Sequence, residues 1–160
     1  MRDRRFVAVH RGGPLDAATH RLLAVWAADC AERLLRLCGE MGRDERSRCA
    51  VRTARAWAHR AASVGDCQRA AVAAHAAARV ASTAAAVAAA RAAGHAAATA
   101  HMADHSLGVV IYGAKAVEAA GRSVEAELEW QLARLPHRLR RLVESALERR
   151  RALRRNTAPT

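Results

Sequence analysis

The sequence predicts an all-α protein, a single-domain bundle of about six to seven Ala-rich helices. Three observations predict it. Long stretches are built from Ala, Leu, Arg and Glu; there are only three prolines; and apolar positions recur every third or fourth residue, with no alternating segment that reads as a strand. At 160 residues the chain fits one domain, long enough to bury roughly two-thirds of the surface its unfolded form exposes. Residues 1–15 read as a basic N-terminal segment, 16–154 as the helical domain and 155–160 as a disordered tail.

The first helix opens at Asp16, an N-cap after Pro14, and runs to Gly39 with His20, Leu23, Trp26, Cys30 and Leu34 on one stripe. A polar turn, Gly42 to Asp44, caps a second helix with Cys49, Thr53 and Trp57 at four-residue spacing, expected to stop near Val64-Gly65. Asp66 is read as the cap of a third helix carrying His75 and Arg79. Ser82-Thr83 starts a fourth, from Ala84 to about His105, whose pattern Gly94 interrupts. A fifth, about Leu107 to Ala120, contains Gly108, Tyr112 and Lys115 and ends at Gly121. The sixth, Val124 to Leu135, is expected to turn Leu128 and Leu132 inward. Past Pro136, which suits a helix start, a seventh runs from His137 to about Arg154 with arginines on one side.

Composition excludes several functions. The net charge of +12 sits mainly at the ends: +3 in residues 1–15 and +7 in 134–160, leaving +2 for the body between. A nearly neutral globule whose arginine-rich last 27 residues contain no aromatic side chain makes nucleic acid an unlikely partner. Cys30, Cys38, Cys49 and Cys67 show neither zinc spacing nor the density of a disulfide scaffold and read as buried thiols. No leader-type apolar run follows Arg2, Arg4 and Arg5, so the expected compartment is the cytoplasm. No stretch of about eighteen uncharged apolar residues marks a membrane span.

The Ala-rich third and fourth helices can approach closely, so the larger polar residues among them need specific places. These are His75, Arg79, Arg91, His95, Thr99, His101, Met102 and His105. His75 and Arg79, His95 and Thr99, and His101 and His105 lie four apart, on one helix face each. His101 and His105 are the candidate metal pair, with Asp104, Glu32 or His75 as a third ligand, but the Glu of an HExxH motif is missing and no metal is favoured. The alternative is imidazoles hydrogen-bonded in a core. Lys115 is the only lysine among 27 basic residues. Lys offers a compact charge and a shiftable pKa that Arg does not, so its retention points to function as readily as to chance. Trp26, Cys30, Glu32 and His20 could line a pocket on the first helix, but Trp26 and Cys30, four apart, read more readily as plain core; Trp57 and Trp130 read as packing anchors. No elbow, phosphate loop or dinucleotide fingerprint is present, and no cofactor is implied.

Several blocks together resemble a known family. They are His20 through Glu32, Ala54-Arg55-Ala56-Trp57, Ala74 through Arg79, Gly94 through His101, and Glu129-Trp130-Gln131 with Leu135-Pro136. In this order, across residues 16 to 143, they are similar to small all-helical proteins described as putative immunity proteins of bacterial polymorphic toxin systems. The resemblance implies a cytoplasmic protein that neutralises a toxin by binding it. Its motif positions here are polar and mostly on inward-facing stretches: His20, Glu32, Arg55, His75, Arg79, His95, His101, Tyr112 and Lys115.

Two functions are therefore carried forward. One is a binding protein with a toxin-like protein partner, self-association being left open. The other is a small helical enzyme or small-molecule-binding protein of cyclase, lyase or isomerase type, with a histidine-lined pocket between the third, fourth and fifth helices. In it His95, His101 and Lys115 would be catalytic, with His75, Arg79, Tyr112, Glu32, His20, Arg55 and Trp26 around the substrate.

Overall fold

The computed structural model describes residues 3–39 and 43–156. Among them it contains seven α-helices and no strand: α1 (Ala17–Leu37), α2 (Glu45–Ala58), α3 (Val64–Val80), α4 (Ala84–Ala98), α5 (Ser106–Ala119), α6 (Val124–Ala133) and α7 (His137–Asn156). The all-α bundle is as predicted. No helix of the described residues is long and apolar enough to cross a membrane.

Local chemistry sets most boundaries. Asp16, Asp44, Thr83 and Ser123 accept backbone N–H groups at the starts of α1, α2, α4 and α6. Gly39 and Gly121 take positive φ just past α1 and α5, where a side chain would be strained. Two boundaries differ from expectation. The cap of α3 is Ser63, and Asp66 completes a capping box from the third helical position; α2 has already ended at Ala58, and Gly65 lies inside α3. The fourth helix ends at Ala98, followed by a tight turn and a short 3-10 segment, Ala103–His105, that leads into α5. The expected turn residue Gly42 and tail residues 157–160 lie outside the described residues, while α7 continues through Asn156.

Helix α4 is the centre. Ten of its fifteen residues are buried, nine of them Ala, and it packs against α1, α2, α3 and α5. Small side chains on every side let four neighbours approach one axis, which a Leu-rich helix could not allow. Cys30 and Cys67 are buried as expected, whereas Cys38 and Cys49 are only half-buried; all four are free thiols. Burial pushes the Cys30 thiol well up and that of Cys67 to about 11, so neither is a ready nucleophile.

The first residues fold onto the bundle. Phe6 and Leu15 are buried in the core, and backbone bonds from Val9 N to Leu15 O (2.9 Å) and Leu15 N to Val7 O (3.0 Å) close the loop between them. Arg5 Nη1 donates to Ser145 Oγ at 2.7 Å, tying this segment to α7.

Helix α6 turns polar residues inward beside its leucines. Leu128 and Leu132 are half-buried and pack against the core, as expected, but the fully buried residues are Glu127 and Gln131. The reason is a network contributed by distant segments. Trp26 Nε1 donates to the Gln131 carbonyl (2.9 Å), Gln131 Nε2 to Glu127 Oε1 (2.8 Å), and Arg33 Nε to Glu127 Oε2 (2.9 Å). The carboxylate's charge and lone pairs are thereby matched inside the fold, as burial requires.

Candidate functional site

The histidines of α3 and α4 settle into notches left by glycine. A Cβ on Gly94 would lie 2.5 Å from His75 Cε1, and one on Gly108 would lie 2.5 Å from His95 Nδ1. Each ring therefore rests on the backbone of the next helix: His75 of α3 on α4, His95 of α4 on α5. Gln131 of α6 uses Gly113 of α5 in the same way, with Nε2 2.6 Å from where a Cβ would be.

These notches bring five rings into one series. His75 meets His95 edge-on at 5.6 Å between centroids, and His95 stacks on Tyr112 at 5.2 Å and 26°. His105 lies 5.1 Å from His95 and 5.1 Å from His101. Lys115 Nζ sits 5.3 Å from the Tyr112 ring centroid, within cation–π range. Six residues singled out in the sequence, His75, His95, His101, His105, Tyr112 and Lys115, thus form one contiguous group.

The centre of the group holds at least one neutral imidazole. His95 Nδ1 and His105 Nδ1 approach to 3.1 Å, a hydrogen bond that needs one ring to donate and the other to accept. Two imidazolium rings would meet proton to proton. Burial, then the neighbouring His105 and His75, hold the His95 pKa down to about 4. Burial and the adjacent Arg91 lower His75 as well. His75 Nδ1 is itself buried without a hydrogen-bond partner among the described residues.

The other candidates stand elsewhere. His20 is buried, its Nε2 donating to the Thr99 carbonyl at 2.6 Å and its ring edge-on to Trp57 at 4.9 Å. It also lines a small cavity of about 20 Å³ with His101. Glu32 shares Arg55 with Asp29: Arg55 Nη2 is 2.6 Å from Asp29 Oδ1 and 3.0 Å from Glu32 Oε2, which clamps α2 to α1. The Arg55 guanidinium holds the Glu32 carboxyl below its usual range. Trp26 is buried against α6, and Arg79 is exposed at the end of α3. For the candidate metal pair, no group of three or more His, Cys, Asp or Glu among the described residues is arranged to hold an ion. The expected pocket between α3, α4 and α5 is a place where rings meet backbone; candidate residues instead border a cavity of about 470 Å³ between the N-terminal loop and the start of α1, lined by His20 and Trp57, and one of about 270 Å³ between α5, α6 and α7, lined by Lys115. Glu127, Gln131 and the three notch glycines were not picked out as site residues. Their signal was the interior glycine, which in a helical pattern marks a close approach more often than a break.

Compared with family models, residues 13–138 match the one described as Imm-5 like putative immunity protein. The chain belongs to this family. The match covers every segment from the close of the N-terminal loop to the first turn of α7, including all five rings and their glycine notches. No curated protein and no solved structure matched the chain.

Proposed function

We propose that this member of the family acts as an immunity-type protein that neutralises an acidic toxin domain by binding to it. The observation that carries the choice of partner is how the charges are disposed. Of the fifteen acids, eight pair with arginines among the described residues: Asp3 with Arg5, Asp29 and Glu32 with Arg55, Asp44 with Arg46, Glu45 with Arg52, Asp66 with Arg69, Asp104 with Arg150 and Glu127 with Arg33. The surplus of +12 is left to the surface, and α7 exposes Arg138, Arg140, Arg141, Arg149 and Arg151. Such a surface steers and selects a negatively charged partner. Trp130 adds an anchor of the kind interfaces favour, half-buried between the guanidinium groups of Arg33 (4.4 Å) and Arg134 (3.7 Å). Co-precipitation from the native host tests the proposal. The expected result is one stoichiometric acidic protein whose toxicity to bacteria is suppressed on co-expression; no stoichiometric partner would count against it.

A second reading is favoured by the ring series. The 3.1 Å contact between His95 and His105 is a route for a proton, and Lys115 stands at the end of the series as a cation for substrate charge. On that reading the protein is a small enzyme in which His95 or His101 moves a proton. Replacing His101 by Ala would then abolish turnover with little change in stability, whereas a structural role predicts a loss of about 1–3 kcal/mol and no catalytic effect.

A further inference from the structure

Between α5, α6 and α7 the bundle leaves a groove of about 270 Å³. Its walls are apolar, formed by Val110, Ile111, Ala114, Leu128 and Leu147. Basic side chains from two helices stand around it: Lys115 of α5 and Arg150 and Arg151 of α7. Lys115 and Arg151 are exposed, and Arg150 reaches Asp104 only at 3.8 Å. The one carboxylate in the wall, Glu127, is balanced by Arg33.

Gln131 supplies an independent observation. It lines the groove and is only 1% exposed. Its amide orientation is fixed because Nε2 donates to Glu127 Oε1, a bond that a flipped amide, carbonyl to carboxylate, would turn into repulsion. The fixed orientation leaves Oε1 buried without a hydrogen-bond partner among the described residues. A buried carbonyl in that state costs stability unless a donor reaches it.

We propose that this groove is a binding site for a small carboxylic acid bearing an apolar body and one hydrogen-bond donor, such as a hydroxyl group. The apolar body lies on Val110, Ile111 and Leu128, the carboxylate meets Lys115, Arg150 and Arg151, and the donor satisfies Gln131 Oε1. At roughly 30 Å³ per water-sized group, the volume takes about nine such groups, the bulk of a medium-chain hydroxy acid whose carboxylate stands at the rim, rather than a long lipid. Apolar walls with a few polar groups that fix orientation are the general form of such sites. The proposal does not depend on a toxin partner, and either can fail alone.

Titration of the full-length protein with 3-hydroxyoctanoate, followed by calorimetry and ligand-observed NMR, tests it. One site with a dissociation constant on the order of 0.1–1 mM is expected. The methyl ester, which lacks the charge, should bind at least tenfold more weakly, and octanoate, which lacks the donor, severalfold more weakly. The exposed Lys115→Glu should weaken 3-hydroxyoctanoate at least tenfold with thermal unfolding unchanged. Ala114→Phe, which fills the groove, should block binding in a protein whose circular dichroism confirms folding. Absence of saturable binding at millimolar 3-hydroxyoctanoate, equal binding of acid and ester, or full affinity in folded Lys115→Glu would overturn the proposal.

Discussion

At the scale of the residue, the spacing of α3, α4 and α5 is controlled by the hydrogen atoms of Gly94 and Gly108. Gly94→Ala would ordinarily favour a helix, by up to about 1 kcal/mol. Here the new methyl would meet the His75 ring at 2.5 Å, so we expect a net destabilisation of about 1–3 kcal/mol from overpacking. Urea unfolding measures it, and the double variant with His75→Ala should recover much of the loss, because the clash partner is gone. If Gly94→Ala is neutral or stabilising, the ring does not occupy the notch.

His95 gives a residue-scale prediction in pH. Its folded-state pKa of about 4 lies below the ordinary value near 6.5, so the unfolded chain binds the proton more tightly. The stabilising contribution of the neutral ring is complete above about pH 6.5 and is lost as pH falls toward 4, on the order of 2–3 kcal/mol in all. Denaturant midpoints measured from pH 7.5 to 4.5 should fall through this window. In His95→Gln the fall should be shallower. A flat wild-type profile would contradict the buried neutral ring.

At the scale of the element, α6 depends on partners from α1. Glu127→Ala would leave the Gln131 amide and the Arg33 guanidinium without their shared carboxylate. We expect a loss of about 2–4 kcal/mol, read by thermal unfolding, and a smaller loss for Glu127→Gln. The half-exposed clamp of Arg55 on Asp29 and Glu32 is a contrast, since solvent screens it: Arg55→Ala should cost no more than about 1 kcal/mol.

The same helices show how far sequence alone reaches. Starts at Asp16 and Asp44 were legible because a cap is a local signal, as was the positive-φ stop at Gly121. The Ser63/Asp66 box was assigned to the wrong member because both residues can cap. The end of α4 was invisible, since Ala gives no stop signal and Thr99 caps through its backbone and folds its hydroxyl back onto the His95 carbonyl. For the site, four-residue spacing placed histidines on common faces, but it could not tell that His75 would cross onto α4 and His95 onto α5. That crossing was written in two glycines read as interruptions. The inward turn of Glu127 and Gln131 was likewise hidden, because Trp26 and Arg33 lie about a hundred residues away in the chain.

At the scale of the whole molecule, a central Ala helix lets four neighbours crowd one axis, and about half of the carboxylates are paired with arginines of the same chain. What remains outward is a basic surface bearing an Arg-flanked tryptophan, on a member of the Imm-5 like putative immunity protein family. The central claim is that this surface recognises an acidic toxin domain. Its most direct measurement is the association rate of the purified protein with its co-precipitated partner as a function of salt. The account predicts a one-to-one complex whose association slows at least tenfold between low and high ionic strength, with Trp130→Ala accelerating dissociation. A partner bound with a salt-independent association rate, or no stoichiometric protein partner at all, would contradict it.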